Sequence, residues 1–187
     1  QDMAMGLSRV FDILDIEPDI EDNPDAIPFI KLERELSFEN INFEYESGIS
    51  VLDEISFTAK PSTITAIIGP TGSGKTTLMS LLLRLYEPLS GSIKIDGDSL
   101  NKFLISSLRE NIAIALQENV LFSLSVRDNI RYVAPEANDF AINQAVEIAC
   151  MDEYIRGLPK GLDTVLSDRG GKLSTGQRQR LSIARAL

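Results

Sequence analysis

The chain has 187 residues, of which 25% are charged and 43% hydrophobic, with one cysteine, no tryptophan and no histidine. That length allows one domain with a real core, and the missing histidines exclude a Ser-His-Asp triad, a Cys-His pair and any imidazole metal site. The formal charge of −10 is concentrated in front, where residues 1–54 carry 15 acidic and 3 basic side chains; no basic stripe follows, so no nucleic-acid partner is expected.

Residues 3–16 place Met3, Leu7, Val10, Phe11 and Leu14 at helical spacing, which predicts a helix with one apolar stripe. Pro18, Pro24 and Pro28 in acidic surroundings then predict an extended linker. Alternation of Leu36, Phe38, Ile41 and Phe43, continued over residues 49–58, predicts antiparallel strands. Residues 64–68 (ITAII) have the short, apolar, β-branched pattern of a strand buried on both faces. A glycine-rich turn leads into a helix over 76–86 with Leu78, Leu81, Leu82 and Leu85 inward. Residues 92–95 predict a strand closed by a tight turn at Asp96-Gly97.

Residues 126–155 read as mostly helical, with Ala141, Ala145, Ile148 and Ala149 on one side. The single thiol, Cys150, is expected to be a small buried apolar residue. Ser174 opens a last helix. No apolar run approaches the ~18 residues of a membrane span, and no secretory signal pattern is present. The start at Gln1 and a helical pattern still running at Leu187 suggest that both ends are cut.

Residues 69–76, GPTGSGKT, fit G-x-x-x-x-G-K-[ST] at every fixed position. The physics asks for these types. Gly69, Gly72 and Gly74, with Pro70, Thr71 and Ser73 between them, let successive backbone N–H groups aim at one anion. Lys75 supplies a point charge for β- and γ-phosphates, Thr76 a hydroxyl for Mg²⁺, and the helix continuing through Thr77 points its positive end at the phosphates. The motif follows an apolar strand pattern and opens an amphipathic helix, as nucleotide binding requires.

Residues 173–180, LSTGQRQR, form a second unusual stretch. Ser174 and Gln177 can complete a capping box. That box leaves Gly176 unexplained, since glycine costs about 1 kcal/mol in a helix unless backbone must approach something closely. A capped helix start with a bare glycine is also suited to an anion.

These residues resemble the nucleotide-binding domain of ATP-binding-cassette (ABC) transporters, whose signature reads LSGGQ. The resemblance covers nearly the whole chain. It extends to Gln117 in ALQENVLF, which looks like the family's Q-loop glutamine, and to Tyr45 in FEYESG, at the place of the aromatic that stacks on adenine. YEPLSG and IKIDG also fit, while SVRDNI and SDRG look like the exporter branch. The resemblance implies an α/β phosphate-loop fold with an antiparallel β lobe, a partial parallel core and a helical lobe over about 121–170. It also implies that residues 1–29 are a helix and acidic linker following a transmembrane domain, with the ATPase domain over 30–187.

By the same resemblance Tyr45 stacks on adenine, Lys75 and the loop amides hold the phosphates of ATP, and Thr76 and Gln117 meet Mg²⁺. Ser174, Gly176 and Gln177 complete the site of a second nucleotide-binding domain closed head to tail. The implied place is the cytoplasmic face of a membrane. Thr175 departs from the family by standing where the first signature glycine usually is; the amides of Ser174, Gly176 and Gln177 are still expected to face an anion.

The chain also stops before the family's Asp-Glu strand and switch histidine. These 187 residues are therefore expected to bind ATP without hydrolysing it alone, and residues 64–68 to show an unpaired apolar edge. A non-catalytic ATP-binding module of a heterodimeric transporter is the alternative. A chromosome-maintenance ATPase fits less well, because Gln117 and Ser174 are 57 positions apart with no heptads between them.

Overall fold

A computed structural model describes residues 7, 9–12, 14–115, 120–167 and 173–187, which fall into two units, Gln1–Ile112 and Ala113–Leu187. In the first unit β1 (Leu36–Glu44), β2 (Ser50–Ala59), β3 (Ser90–Ile95) and β4 (Asp98–Ser99) form an antiparallel sheet in the order β2-β1-β3-β4. Helix α1 (Lys75–Leu82) buries Leu78 and Leu81 with Phe38, Ile41, Phe43, Leu52, Ile93 and Ile95 of that sheet. A 3-10 turn (Leu100–Lys102) and the short α2 (Ile105–Glu110) add Leu100 and Leu108 to the same core.

Phe38 and Ile41 are three residues apart, so plain alternation would send one of them to solvent. The ladder slips between them, with Asn40 at φ 49°, and this bulge returns Ile41 to the core at 0% exposure. Gly91 makes the bulge possible. At φ +86° it lies so close that a Cβ there would sit 2.3 Å from the Asn40 carbonyl oxygen.

The tight turn expected at Asp96-Gly97 is present, with φ 56° and 91° at the two positions, as a two-residue hairpin demands. The Asp96 carboxylate accepts from the backbone N–H groups of Glu33 (2.9 Å), Arg34 (2.6 Å) and Glu35 (2.9 Å). These bonds, that from Glu33 foremost, hold its pKa below the ordinary value.

Several expectations need correction. Residues 64–68 join no ladder: Ile64 is 99% and Ile68 93% exposed, because no strand among the described residues pairs with them. β-Branched content alone does not make a buried strand; the exposed apolar edge is what the sequence predicted for them unpartnered. The named strands of the described residues pair antiparallel throughout, so the parallel core has no ladder there. The helix predicted to reach 86 ends at Leu82, where Arg84 turns left-handed at φ 49° and leaves Leu85 exposed.

The acidic linker is fastened rather than free. Ile27 bridges Phe103 in parallel, Asn23 donates to the Asn101 carbonyl, and Asp22 accepts from the N–H of Ile105 at the start of α2. Ahead of it residues 7, 9–12 and 14 are helical, with Leu7, Val10, Phe11 and Leu14 exposed.

The second unit holds α3 (Val126–Arg131), α4 (Asp139–Ile148), α5 (Asp152–Arg156), a 3-10 turn (Gly161–Asp163) and α6 (Thr175–Ala186). Ser125 caps α3 by accepting from the N–H of Asp128, and Asn138 caps α4 by accepting from that of Ala141. The buried face of α4 is Ile142, Ala145, Val146 and Ala149; Ala141 and Ile148 lie on the exposed side, so the expected face is rotated. Cys150 is exposed, not buried, because the chain leaves α4 there with φ 53°. No helix among the described residues is long and apolar enough to cross a membrane.

Candidate functional site

The GPTGSGKT loop joins residues 64–68 to α1, whose first helical residue is Lys75. Two of its glycines, Gly72 at φ 85° and Gly74 at φ 81°, adopt the left-handed backbone that favours glycine. Gly74 caps α1 at φ 81°, and a Cβ there would meet the Leu52 side chain at 2.5 Å and the Val51 carbonyl oxygen at 3.0 Å. A Cβ on Gly69 would meet the Ser73 hydroxyl at 2.5 Å. The loop is thus packed against β2 on one side and closed on itself on the other.

The Lys75 ammonium lies inside this loop, donating to the carbonyl oxygens of Gly69 (2.9 Å) and Pro70 (2.7 Å) and to the Ser73 hydroxyl (3.3 Å). The backbone wraps around the cation within reach of the helix start. Thr71, Gly72, Ser73 and Thr76 are exposed there. This is a fitting cradle for a phosphate chain: a full positive charge, glycines where side chains cannot go, and the positive end of an eight-residue helix. Thr76 offers an exposed hydroxyl oxygen of the kind Mg²⁺ accepts. No cluster of three acidic or thiol side chains suited to a metal is found among the described residues. Gln117, expected to share the metal, lies outside the described residues.

Tyr45 stands at the end of β1, 52% exposed, in a triangle of mutually edge-on rings with Phe43 (4.9 Å between centroids) and Tyr86 (5.1 Å). Its hydroxyl is 3.1 Å from that of Thr77, a buried residue in the first turn of α1. The structure therefore brings together Tyr45, Thr77 and the loop from Gly69 to Thr76, all within the first unit.

The other expected group lies in the second unit. Ser174 caps α6: its hydroxyl accepts from the N–H of Gln177 (3.2 Å), and the Gln177 side-chain oxygen accepts from the N–H of Ser174 (2.9 Å). The predicted capping box is real, and it corrects one expectation. The amides of Ser174 and Gln177 are occupied within the box rather than aimed at an anion. Gly176 remains bare, with nothing within 4 Å of where a Cβ would be. The Thr175 hydroxyl accepts from Arg178 (3.2 Å), which also donates to the Leu173 carbonyl (2.7 Å).

Sequence reasoning missed a buried polar knot beside this helix. Asn129, at 0% exposure, donates to the carbonyls of Phe122 (3.0 Å) and Ser125 (3.0 Å), and its side-chain oxygen accepts from the N–H of Phe122 (2.9 Å). Arg185 of α6 reaches the same oxygen (2.9 Å), the Asn129 carbonyl (2.9 Å) and the Val120 carbonyl (3.0 Å). Burial lowers the pKa of Arg185. No spacing rule marks such an asparagine as buried; in the sequence it stands out only as part of the SVRDNI stretch.

Residues 52–187 match the family described as ABC transporter. The chain is 39% identical over 188 residues to an uncharacterized ABC transporter ATP-binding protein, YknV, of Bacillus subtilis, covering 99% of this chain and 31% of that protein. It is 40% identical to the β-(1→2)glucan export ATP-binding/permease protein NdvA of Nitrobacter winogradskyi, covering 98% of this chain and 30% of that one. A bacterial Atm1-family ABC exporter with ATP bound superimposes with a TM-score of 0.90 at 33% identity, covering 98% of this chain and 32% of that chain. The chain spans about a third of the length of these relatives. A phosphate loop set on an antiparallel lobe and a capped LSTGQ helix, matched over nearly the full chain, make this protein a member of the ABC transporter family.

Proposed function

We propose that residues 30–187 belong to the ATP-binding, ATP-hydrolysing motor domain of an ABC exporter, working at the cytoplasmic face of a membrane. The observation that carries this is the GPTGSGKT loop wrapped around Lys75 at the start of α1. Lys75 and the loop amides of residues 69 and 71–77 hold the phosphates, Pro70 having no N–H to donate, and Tyr45 presents its ring to adenine. Thr76 and Gln117 would hold Mg²⁺, which would supply charge neutralisation for the phosphates. Ser174, Gly176 and Gln177 meet the nucleotide of a second domain closed head to tail, through the bare Gly176 backbone and the side-chain donors of Ser174 and Gln177, since the capping box uses the Ser174 and Gln177 backbone N–H groups. Residues 1–29 connect this domain to a transmembrane domain, and the export named for NdvA supports that direction.

In this reading residues 1–187 bind ATP but do not turn it over by themselves. The family's Asp-Glu follows an apolar strand. Of the two Asp-Glu pairs in this sequence, Asp53-Glu54 lies inside β2, ahead of the phosphate loop, and Asp152-Glu153 opens α5, where Asp152 is paired with Arg156. Calorimetric titration of residues 1–187 with Mg-ATP should show binding that Lys75→Ala weakens more than tenfold, with no phosphate release above background. Absence of ATP binding would overturn the reading, and ATPase activity that vanishes in Lys75→Ala would overturn the claim about turnover.

A second reading, the non-catalytic module of a heterodimeric transporter, is favoured by one feature. Thr175 and the capping box spend on α6 itself the groups that a partner's ATP would use. If Thr175→Gly in the complete protein leaves ATP-driven dimer closure unchanged, Thr175 does not impair the signature and this reading loses its support.

A further inference from the structure

Arg84 is buried, and a guanidinium out of water is costly unless its donors are met. Among the described residues it has four partners. Two belong to the body of the first unit, the Phe103 carbonyl (3.2 Å) and the Glu87 carboxylate (3.4 Å). The other two, the Glu21 carbonyl (3.2 Å) and the Asp22 carboxylate (3.6 Å), belong to the linker. The same stretch of linker is held by the Ile27 N–H on the Lys102 carbonyl, the Leu104 N–H on the Ile27 carbonyl (2.9 Å each) and the Ile105 N–H on Asp22 (2.8 Å). Lifting the linker leaves a buried cation with half its partners, so docked and lifted are two distinct states.

Arg84 also ends the helix that the phosphate loop opens. Its φ of 49° stops α1 at Leu82, and Arg109 of α2 donates to the carbonyls of Leu83 (3.0 Å) and Arg84 (2.9 Å), groups that a helix end leaves open. Eight residues are too few to hold a helix in water by themselves. Leu78 and Leu81 pack α1 on the sheet, and its two ends rest on the loop around Lys75 and on the Arg84 node. An anion seated at the first end orders the helix and lowers the cost of docking the linker at the second; the reverse holds equally.

We propose that Arg84 is a positioning residue for the phosphate loop, acting through α1, and that the linker at Glu21 and Asp22 is its latch. Docked, the linker favours polyphosphate at Lys75, and polyphosphate keeps the linker docked. This rests on the nucleotide reading above and adds a route by which a pull on residues 17–29 lowers nucleotide affinity without touching a phosphate-binding group.

Hydrogen exchange of the full-length protein containing this chain, with and without saturating inorganic tripolyphosphate or Mg-ATP, reads the latch. Either ligand should slow the amides of Ile27, Leu104 and Ile105 about three- to tenfold, a modest coupling between two sites. The amides of Glu33 and Glu35, held by Asp96 instead, should not change. Asp22→Lys, which sets a like charge beside Arg84 and lifts the linker, should weaken binding of both ligands by the same factor, and Asp22→Glu, which keeps a carboxylate, should restore it. Linker amides indifferent to both ligands overturn the proposal, as does slowing that reaches Glu33 and Glu35 equally, which is general stabilisation. Unchanged affinities in Asp22→Lys overturn it too, and so does a loss for ATP alone, which would place the effect on the base. If Asp22→Lys does not fold, exchange in the unaltered protein decides. Failure of the unaltered protein to bind either ligand would sink the nucleotide reading itself.

Discussion

The guanidinium of Arg84, 4% exposed, lies 3.6 Å from the carboxylate of Asp22 and donates to the carbonyl oxygens of Glu21 and Phe103 (3.2 Å each). Arg84 stands just beyond α1, so the acidic linker is bound to the far end of the helix that begins with Lys75. An arginine ending an apolar run reads from sequence as the point where a helix meets water. Its burial follows from the left-handed turn at φ 49°, which folds the side chain back under the linker.

Replacing Asp22 removes one of the two carboxylate partners of Arg84, leaving Glu87 at 3.4 Å, and the acceptor of the Ile105 N–H. Asp22→Ala should cost about 1–2 kcal/mol in urea unfolding. It should also speed proteolysis within residues 17–29 while leaving the sheet intact.

The bulge in β1 has one permissive neighbour. Gly91→Ala puts a methyl 2.3–2.4 Å from the carbonyl oxygens of Asn40 and Glu39 and forces alanine to φ +86°. A loss of at least about 3 kcal/mol is expected, from steric displacement added to the left-handed penalty. Thermal unfolding should show it, and Gly48→Ala, where nothing lies within 4 Å, is the control that should cost much less.

Asp96 predicts a pH dependence with a definite sign. Its folded pKa is lowered by backbone hydrogen bonds, those from Glu33 and Glu35 first. The unfolded carboxyl titrates near the ordinary value of about 3.9. The contribution is therefore complete above that value and is lost as pH falls through the lower folded value. Asp96→Asn should be less stable than the unaltered chain at pH 7, and the gap should close in acid; urea midpoints at pH 7, 4 and 2.5 check it. Glu39 beside Lys94 and Asp163 beside Arg127 act in the same direction.

Asn129 is the keystone of the second unit. Asn129→Ala leaves the N–H and carbonyl of Phe122 and one arm of Arg185 without this partner in a dry setting. About 3 kcal/mol of destabilisation is expected. Hydrogen exchange should localise it to residues 120–131 and α6, with the β-sheet amides unaffected.

Local features were well marked in the sequence: the phosphate loop, the Ser174–Gln177 box and the Asp96-Gly97 turn each rest on residues within a few positions of one another. What the sequence hid depends on distant partners. Residues 64–68 have the composition of a buried strand, yet burial needs a neighbour, and composition carries no information about whether one is paired there. On α4 the buried face keeps Ala145 and Ala149 of the expected side but takes Ile142 and Val146 in place of Ala141 and Ile148. Thr77 was legible as part of a motif but not as a neighbour of Tyr45, because a contact across 32 positions leaves no local pattern.

Lys75 already has company. Two carbonyl oxygens and a hydroxyl surround its ammonium, so an arriving anion has to displace dipoles that are well aimed. A singly charged ion replaces one modest set of partners with another. A polyphosphate brings several full charges to one point and shifts the balance decisively. In the nucleotide reading the loop is therefore expected to act as a charge threshold: acetate, chloride and uncharged nucleosides should leave the lysine turned inward, and a densely anionic visitor should draw it out.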